Sequence, residues 1–492
     1  MWEAMLSAFG AVAQPGVIWA VASALPVGLL FGLLPGLSGL TALAVLIPFV
    51  YGMDGLQGLA FLLTAHAVVY TGGSVTAILL GIPGSPPNAA TIIDGVPMRN
   101  KGLAGMAVGA AVTASAVGGL IGAAVLFVLL PVLRPVVMAF GPAETFVLAM
   151  MGLTFLAAVG TGSAAKGLFA GAVGIFLSFV GYEPVTGVPR YWFGSEYLLD
   201  GLRIIPVALG IFAIPELLAL AAGRSLAREQ GPLPGRQMWD GAKAVFRHFG
   251  LSVRSAGIGA VIGIIPGVGG ETSPFVAYAA AKQGDPHPER FGTGVVEGVI
   301  APESANNAKE GGALVPTLAF GVPGSAGMAL LLGAFLVLGL QPGPEFLRVH
   351  LDMGMALVLV LAIANVFAAA AMLLLTPLLA RVVTVPPAVL VPVLLALVTL
   401  GAYSVANDMR DVVATFAFGA LGVAFVHFGL NRATFLLGFV LGPLVERYLT
   451  ISLNIFGPSF LLRPIVLALI ALTVLGLAAP RLRRAWRGRA RA

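Results

Sequence analysis

Long apolar runs constrain this chain before anything else does. They are Val17–Leu34, Ala104–Leu133, Thr145–Gly160, Arg203–Ala222, Met353–Thr376 and Phe460–Ala479. A helix needs about 20 predominantly apolar residues to cross the hydrocarbon core of a bilayer, and these runs approach or exceed that length. No water satisfies backbone polar groups inside lipid, so only helices and closed barrels can span it. Barrel strands read as alternating segments of about ten residues, whereas these runs are continuous. Composition agrees: 59% of the 492 residues are hydrophobic and 10% are charged, against about 25% charged in a soluble domain. The fold class is therefore an all-α polytopic membrane protein.

The 65 glycines and 34 prolines are too many for plain rod-like spans. A helix broken at membrane depth survives only where protein or a water-filled cavity covers the freed backbone. Broken or re-entrant helices inside a bundle are thus predicted. The chain has no cysteine, which excludes disulfides and thiolate metal sites.

Charge gives orientation. The first Lys or Arg is Arg99, while Arg224, Arg228, Arg236, Lys243, Arg247 and Arg254 surround the polar central stretch and six arginines fill the C-terminal tail. Excess Lys and Arg mark cytoplasmic segments. The central stretch and the tail are expected inside and the N-terminus outside. The net charge of +6 is topogenic, and no nucleic-acid partner is expected. Met1-Trp2-Glu3 has no basic residue near it, so no cleavable signal peptide is expected. The resulting division is a transmembrane repeat over 1–222, a cytoplasmic linker over 223–254, a second repeat over 255–480 and a basic tail over 481–492.

The two repeats are visible in the text. Gly28, Gly32, Pro35 and Gly36 recur 231 positions later as Gly259, Gly263, Pro266 and Gly267. Gly72-Gly73 and Gly81-Ile82-Pro83-Gly84-Ser85 recur as Gly311-Gly312 and Gly321-Val322-Pro323-Gly324-Ser325 at offsets of 239 and 240. An insertion around Gly284-Asp285-Pro286-His287-Pro288 accounts for the change of offset. With the N-terminus outside and the linker inside, the repeats enter from opposite faces. An inverted pair with about 11–12 transmembrane helices is predicted.

Paired Gly/Pro-interrupted segments in corresponding places are the best sequence pointer to a transporter site. Proline ends a helix, glycine lets backbone approach a ligand, and a half-helix starting after the break aims free N–H groups at an anion. The substrate-contact candidates in repeat one are Pro35, Gly36, Ser38, Gly72, Gly73, Ser74, Gly84 and Ser85. Those in repeat two are Pro266, Gly267, Gly269, Ser304, Asn306, Asn307, Gly324 and Ser325. Oxygen-bearing or ionisable side chains at membrane depth, Thr41, Asp94, Thr272, Glu297 and Glu303, are the cation-coupling candidates. Glu303 reads equally as cation ligand, proton carrier or substrate-excluding charge. Asp94-Gly95 reads equally as a turn, His66 as a packed histidine, and Lys309 and Glu310 as partners of each other or of solvent. Gly267-Val-Gly269-Gly270 is no dinucleotide fingerprint, and no P-loop supports ATP-driven transport. No catalytic residue and no cofactor are expected, and no metal beyond Na⁺.

Gly32-Leu-Leu-Pro-Gly-Leu-Ser-Gly-Leu-Thr41, Tyr70-Thr-Gly-Gly-Ser74, Asp94-Gly-Val-Pro-Met98 and above all Glu297-Gly-Val-Ile-Ala-Pro-Glu-Ser-Ala-Asn-Asn-Ala308 carry a family likeness. With them the chain resembles the large membrane subunit of the tripartite tricarboxylate transporter family. The resemblance implies a multi-pass protein of the bacterial inner membrane. It would import a di- or tricarboxylate, or a related organic acid, with Na⁺ or H⁺. Its partners would be a small four-helix membrane subunit and a periplasmic solute-binding protein; association with further copies of itself stays open. An elevator-type movement is also implied. Two other readings stay open on the residues alone: a passive anion channel, and an intramembrane enzyme acting on a lipid or polyprenyl-linked substrate with Glu271, Glu297 and Glu303 as acid and base.

Overall fold

The computed structural model of the chain describes residues 2–34, 37–159, 163–222, 234–266, 270–379 and 386–475. The first half begins with α1 (Trp2–Val12) and α2 (Pro15–Leu33). After the first break come α3 (Gly39–Leu46) and the long α4 (Gly55–Leu80), then α5 (Ala89–Asn100), α6 (Ala104–Met138), α7 (Pro142–Val159) and α8 (Ala164–Ser178). A small antiparallel hairpin pairs β1 (Gly181–Tyr182) with β2 (Pro189–Arg190). The one-turn α9 (Glu196–Leu199) follows, and α10 (Ile204–Ala208) continues through a π-helical turn into α11 (Ile214–Ala222).

The second half contains α12 (Gly235–Arg247), α13 (Phe249–Ile264), α14 (Ser273–Gly284), α15 (Glu297–Phe320), α16 (Ala326–Val337) and α17 (Pro344–Val349). It ends with α18 (Leu351–Leu379), α19 (Pro387–Ser404), α20 (Met409–Phe428), α21 (Arg432–Phe456) and α22 (Pro464–Leu475). Eight helices among the described residues are long and apolar enough to cross a membrane, and shorter apolar helices accompany them, α3, α13 and α16 among them. The chain is an all-α polytopic membrane protein.

The repeat seen in the sequence is a repeat of local structure. Gly81 and Gly321 end α4 and α15 in the left-handed region, at φ of 72° and 67°, a conformation that glycine alone adopts without steric cost. Small residues let the long helices cross closely. A Cβ on Gly28 would strike the Ala65 carbonyl, and one on Gly259 the Ala305 carbonyl. Gly32 lies the same way on Val69, and Gly263 on Lys309. The α2–α4 crossing of the first half is thus repeated, contact for contact, by α13–α15.

The halves also exchange partners. α15 packs on α6, and α4 packs on α18. α12 lies against α6, as α1 lies against α18. α12 occupies part of the stretch that reads as linker. It is amphipathic: Met238, Gly241, Ala242, Ala244 and Val245 are buried, while Arg236, Asp240, Lys243 and Arg247 are exposed. Periodicity of this kind builds a helix whatever the charge content of the segment.

α4 and α15 form the centre. All of the apolar window of α4 is buried inside protein, against 22% for α19 at the periphery. α15 is buried along nearly its whole length although it carries Glu303, Asn306, Asn307, Lys309 and Glu310. A helix that is not apolar enough to read as a span thus lies at the middle of the bundle.

Candidate functional site

The breaks converge on one cleft. It is lined by Ser38 and Gly39 at the start of α3, by Ser85, Pro86 and Pro87 after α4, and by Ser325 and Gly327 at the start of α16; Tyr70, Glu271 and Lys309 complete the wall. Local rules place these groups. Ser38 accepts from the Thr41 amide and Ser325 from the Met328 amide, each capping its helix. The Gly39 amide donates to Ser85 Oγ at 3.2 Å, joining the start of α3 to the second break. The open space of the cleft is about 340 Å³, of which about 20 Å³ admits water.

The positive end of α3 already carries an anion. Glu216 of α11 accepts from the Ser38 amide at 3.1 Å, from Ser38 Oγ at 3.0 Å and from the Thr41 hydroxyl. Arg432 of α21 lies 3.5 Å from the same carboxylate. Thr41, a cation-coupling candidate, is thereby bonded to a carboxylate. Glu216 escaped sequence reading because its partners are 175 and 178 residues away.

A charged cluster lies beneath the cleft. Lys309 Nζ sits 3.2 Å from Glu310 and 3.9 Å from the centre of the Tyr70 ring. His66 Nε2 is 3.2 Å from Glu310 and 3.4 Å from the Tyr70 hydroxyl. All four side chains are buried. The repeat explains their asymmetry: the helix crossings of Gly32 on Val69 and Gly263 on Lys309 align α4 and α15 at an offset of 240, which puts Lys309 and Glu310 where repeat one has Val69 and Tyr70. In sequence, Lys309 and Glu310 look like an ordinary pair. In three dimensions Lys309 lines the same cleft as the serines of three breaks.

A second polar centre lies on the same helix, α15. Glu303 accepts from the Thr91 hydroxyl, from Ser115 Oγ at 3.0 Å and from Asn88 Nδ2 at 3.4 Å. It is fully buried. Among the described residues no Lys, Arg or His forms an ion pair with it. One turn on, both polar atoms of the Asn306 amide lack a hydrogen-bond partner, as do Ser304 Oγ, Asn307 Oδ1 and Asn88 Oδ1. Asn307 Nδ2 donates to Thr71 Oγ1 at 3.1 Å and to Asn365 Oδ1 at 2.7 Å.

The other candidates are dispersed. Asp94 accepts from Tyr278 Oη at 2.8 Å and from the amides of Gly292, Gly294 and Val295 at 3.0, 2.7 and 3.0 Å. It clasps the loop ahead of α15. Glu297 lies in a separate and larger cleft of about 610 Å³ of open space, 3.8 Å from His248 and near Arg254. Thr272 is at the start of α14. Ser74 Oγ donates to the Thr71 carbonyl within its own helix. Gly72, Gly73, Gly84 and Gly324 face neighbouring backbone or side chains; a Cβ on Gly84 would lie 2.6 Å from the Gly32 carbonyl, and one on Gly324 2.8 Å from that of Gly263. Pro266 is buried against Gly152 of α7. Pro35, Gly36, Gly267 and Gly269 lie outside the described residues.

Residues 18–437 match the family model described as Tripartite tricarboxylate transporter TctA family. An uncharacterized 52.8 kDa protein of Agrobacterium vitis, in the TAR-I ttuC′ 3′ region, is 33% identical over 464 residues, 94% of this chain and 92% of that protein. A second Agrobacterium vitis protein, in the TAR-II ttuC′ 3′ region, is 34% identical over 217 residues, 44% of this chain and 90% of that protein. No solved structure matches the chain.

Proposed function

The chain belongs to the tripartite tricarboxylate transporter TctA family, and on that premise we propose that the cleft between its broken helices carries a carboxylate across the bacterial inner membrane. The family is one of transporters, not of enzymes. The observation that carries the reading is that one cleft is lined by the serines of three breaks, Ser38, Ser85 and Ser325, and by the buried, Glu310-paired Lys309. A carboxylate needs hydroxyl or amide donors together with a positive charge, and a low-dielectric site strengthens each such contact.

The cleft has room for about one water, whereas sites for small organic ligands occupy about 300–1,000 Å³. The described conformation is therefore a closed one, and the substrate enters by separation of the α3 and α16 starts. The Glu216 clasp on α3 and the Ser85 contact to Gly39 are the bonds that such an opening strains. The substrate is a di- or tricarboxylate or a related organic acid. It is delivered by a periplasmic binding protein and moved with Na⁺ or H⁺, in company with a small membrane subunit. The reciprocal packing of the halves supports an inverted repeat, in which the two sets of breaks face each other from opposite sides of the bilayer. An elevator-type movement of the break-bearing core is part of this reading.

Reconstitution tests it. Proteoliposomes holding this chain and a small four-helix subunit are given a labelled dicarboxylate or tricarboxylate panel, with and without a periplasmic solute-binding protein of the same system. Uptake that requires both an ion gradient and the binding protein is the expected result. No uptake of any carboxylate under those conditions overturns the reading.

A further inference from the structure

We propose that His66 carries the coupling proton: it takes up one proton as a carboxylate enters the cleft and releases it as the carboxylate leaves. The inference rests on the transporter reading above and names the coupling ion and its seat. Three observations carry it. The first is position. A Cβ on Gly327 would fall 2.4 Å from His66 Cε1 and Nε2, and one on Gly39 would lie 3.5 Å from Nδ1. Gly39 and Gly327 both line the cleft. The imidazole therefore packs against the starts of α3 and α16, and their separation uncovers it. The second is an unused ring nitrogen. His66 is 0% exposed, and its Nδ1 has no hydrogen-bond partner. Nε2 faces Glu310 at 3.2 Å and the Tyr70 hydroxyl at 3.4 Å. Buried polar atoms are nearly always satisfied, and a protonated imidazole carries an N–H on both nitrogens. Glu310 pairs with the Nε2 side. The Nδ1 side, next to Gly39, is left for an acceptor, and a substrate carboxylate is one.

The third observation is the charge around the ring. Its titratable neighbours are Tyr70 on its own helix, Lys309 and Glu310 on α15, Glu216 and Arg432 behind the start of α3, and Glu271 on the cleft wall; α16 presents none. Lys309 and Glu310 cancel each other, as do Glu216 and Arg432. Glu271 adds a negative charge. With His66 neutral, these groups offer no net positive charge to an incoming carboxylate, and an uncompensated buried charge is costly. One proton on His66 supplies the compensation, and histidine is the side chain whose charge changes near neutral pH. Proton and carboxylate thus offset each other, so each binds better when the other is present, which is the coupling a symporter needs. Only an N–H bond forms and breaks: the proton comes from water on one face and returns to water on the other.

The test uses the purified full chain in lipid nanodiscs, with succinate and citrate as probes. Binding is measured by calorimetry and proton uptake by an indicator dye in weak buffer, first in choline and then in Na⁺. In choline, one proton is expected to enter with each probe molecule bound. Above about pH 7.5, where carboxylates are fully ionised, affinity should then fall about tenfold per pH unit, the linkage of one proton to one ligand. His66→Gln should lose both the proton uptake and the pH dependence. If that variant fails to fold, ¹⁵N-histidine NMR of the unmodified chain reads the same step: one imidazole of the five becomes doubly protonated when probe binds. No such change overturns the proposal. Binding without proton uptake, or binding that requires Na⁺, overturns it and leaves carboxylate transport standing. Proton uptake that persists in His66→Gln but is lost in Glu271→Gln overturns it in favour of Glu271. No binding of either probe in either salt contradicts the carboxylate reading, and the proposal with it.

Discussion

Lys309 is held on three sides: Glu310 at 3.2 Å, the Tyr70 ring at 3.9 Å, and Gly270, whose missing side chain makes room for its stem. Removing one partner of a buried ion pair costs about 3–5 kcal/mol, because the other charge is left uncompensated. Lys309→Gln is therefore expected to lose both uptake and membrane abundance. The double change Lys309→Gln with Glu310→Gln should recover abundance, read by fluorescence-detected gel filtration, and still give no carboxylate uptake. Recovery of uptake in the double variant would remove Lys309 from the site. Glu216 allows a second check. Hydrogen bonds to charged groups contribute about 1.5–3 kcal/mol each, so Glu216→Gln should lower the unfolding temperature and open the cleft more readily, seen as faster alkylation of a thiol placed at Ser85. At this scale the sequence showed which residue types matter but not their partners. Asp94 and Glu216 each bond groups roughly 175–200 residues away, and no spacing rule reaches that far.

At the scale of the element, the breaks were legible because their causes are local. Pro-Gly pairs, serine caps and left-handed glycines act within a few residues, and the same letters return at Gly81 and Gly321. α15 was legible for a different reason: its polar residues stand out against the apolar runs around it, although by hydropathy it does not read as a span. α12 was hidden by its charge, since an amphipathic helix with exposed Arg and Lys resembles a linker in composition. What the text hid most was how the candidate glycines are used. Gly32, Gly72, Gly73 and Gly84 crowd one another and the neighbouring helix backbone. Overpacking such contacts costs about 1–3 kcal/mol. Gly32→Ala and Gly263→Ala, at equivalent crossings, are expected to lower the unfolding temperature by similar amounts. A loss confined to one of them would contradict the structural equivalence of the repeats.

The whole molecule pairs each half with the other: α6 takes α12 and α15 from the second half, and α18 takes α1 and α4 from the first. Such exchange fits an inverted repeat, and the side on which each segment lies is directly measurable. The chain contains no cysteine, so single-cysteine variants need no background removed. Glu3→Cys and Phe193→Cys, the latter 84% exposed on the loop after the β1–β2 hairpin, should label from the outer face of intact cells. Arg236→Cys, exposed on α12, should label only after permeabilisation. Labelling of Glu3→Cys and Arg236→Cys from the same face would exclude inversion. The central claim is that the cleft binds the carboxylate, and substrate protection tests it most directly. Ser325→Cys is placed in the unmodified chain and in Lys309→Gln/Glu310→Gln, and its alkylation by a small membrane-permeant maleimide is timed with and without the transported carboxylate. Slower alkylation with carboxylate in the first background, and no slowing in the second, is the predicted result; equal rates with and without carboxylate in the first would contradict it.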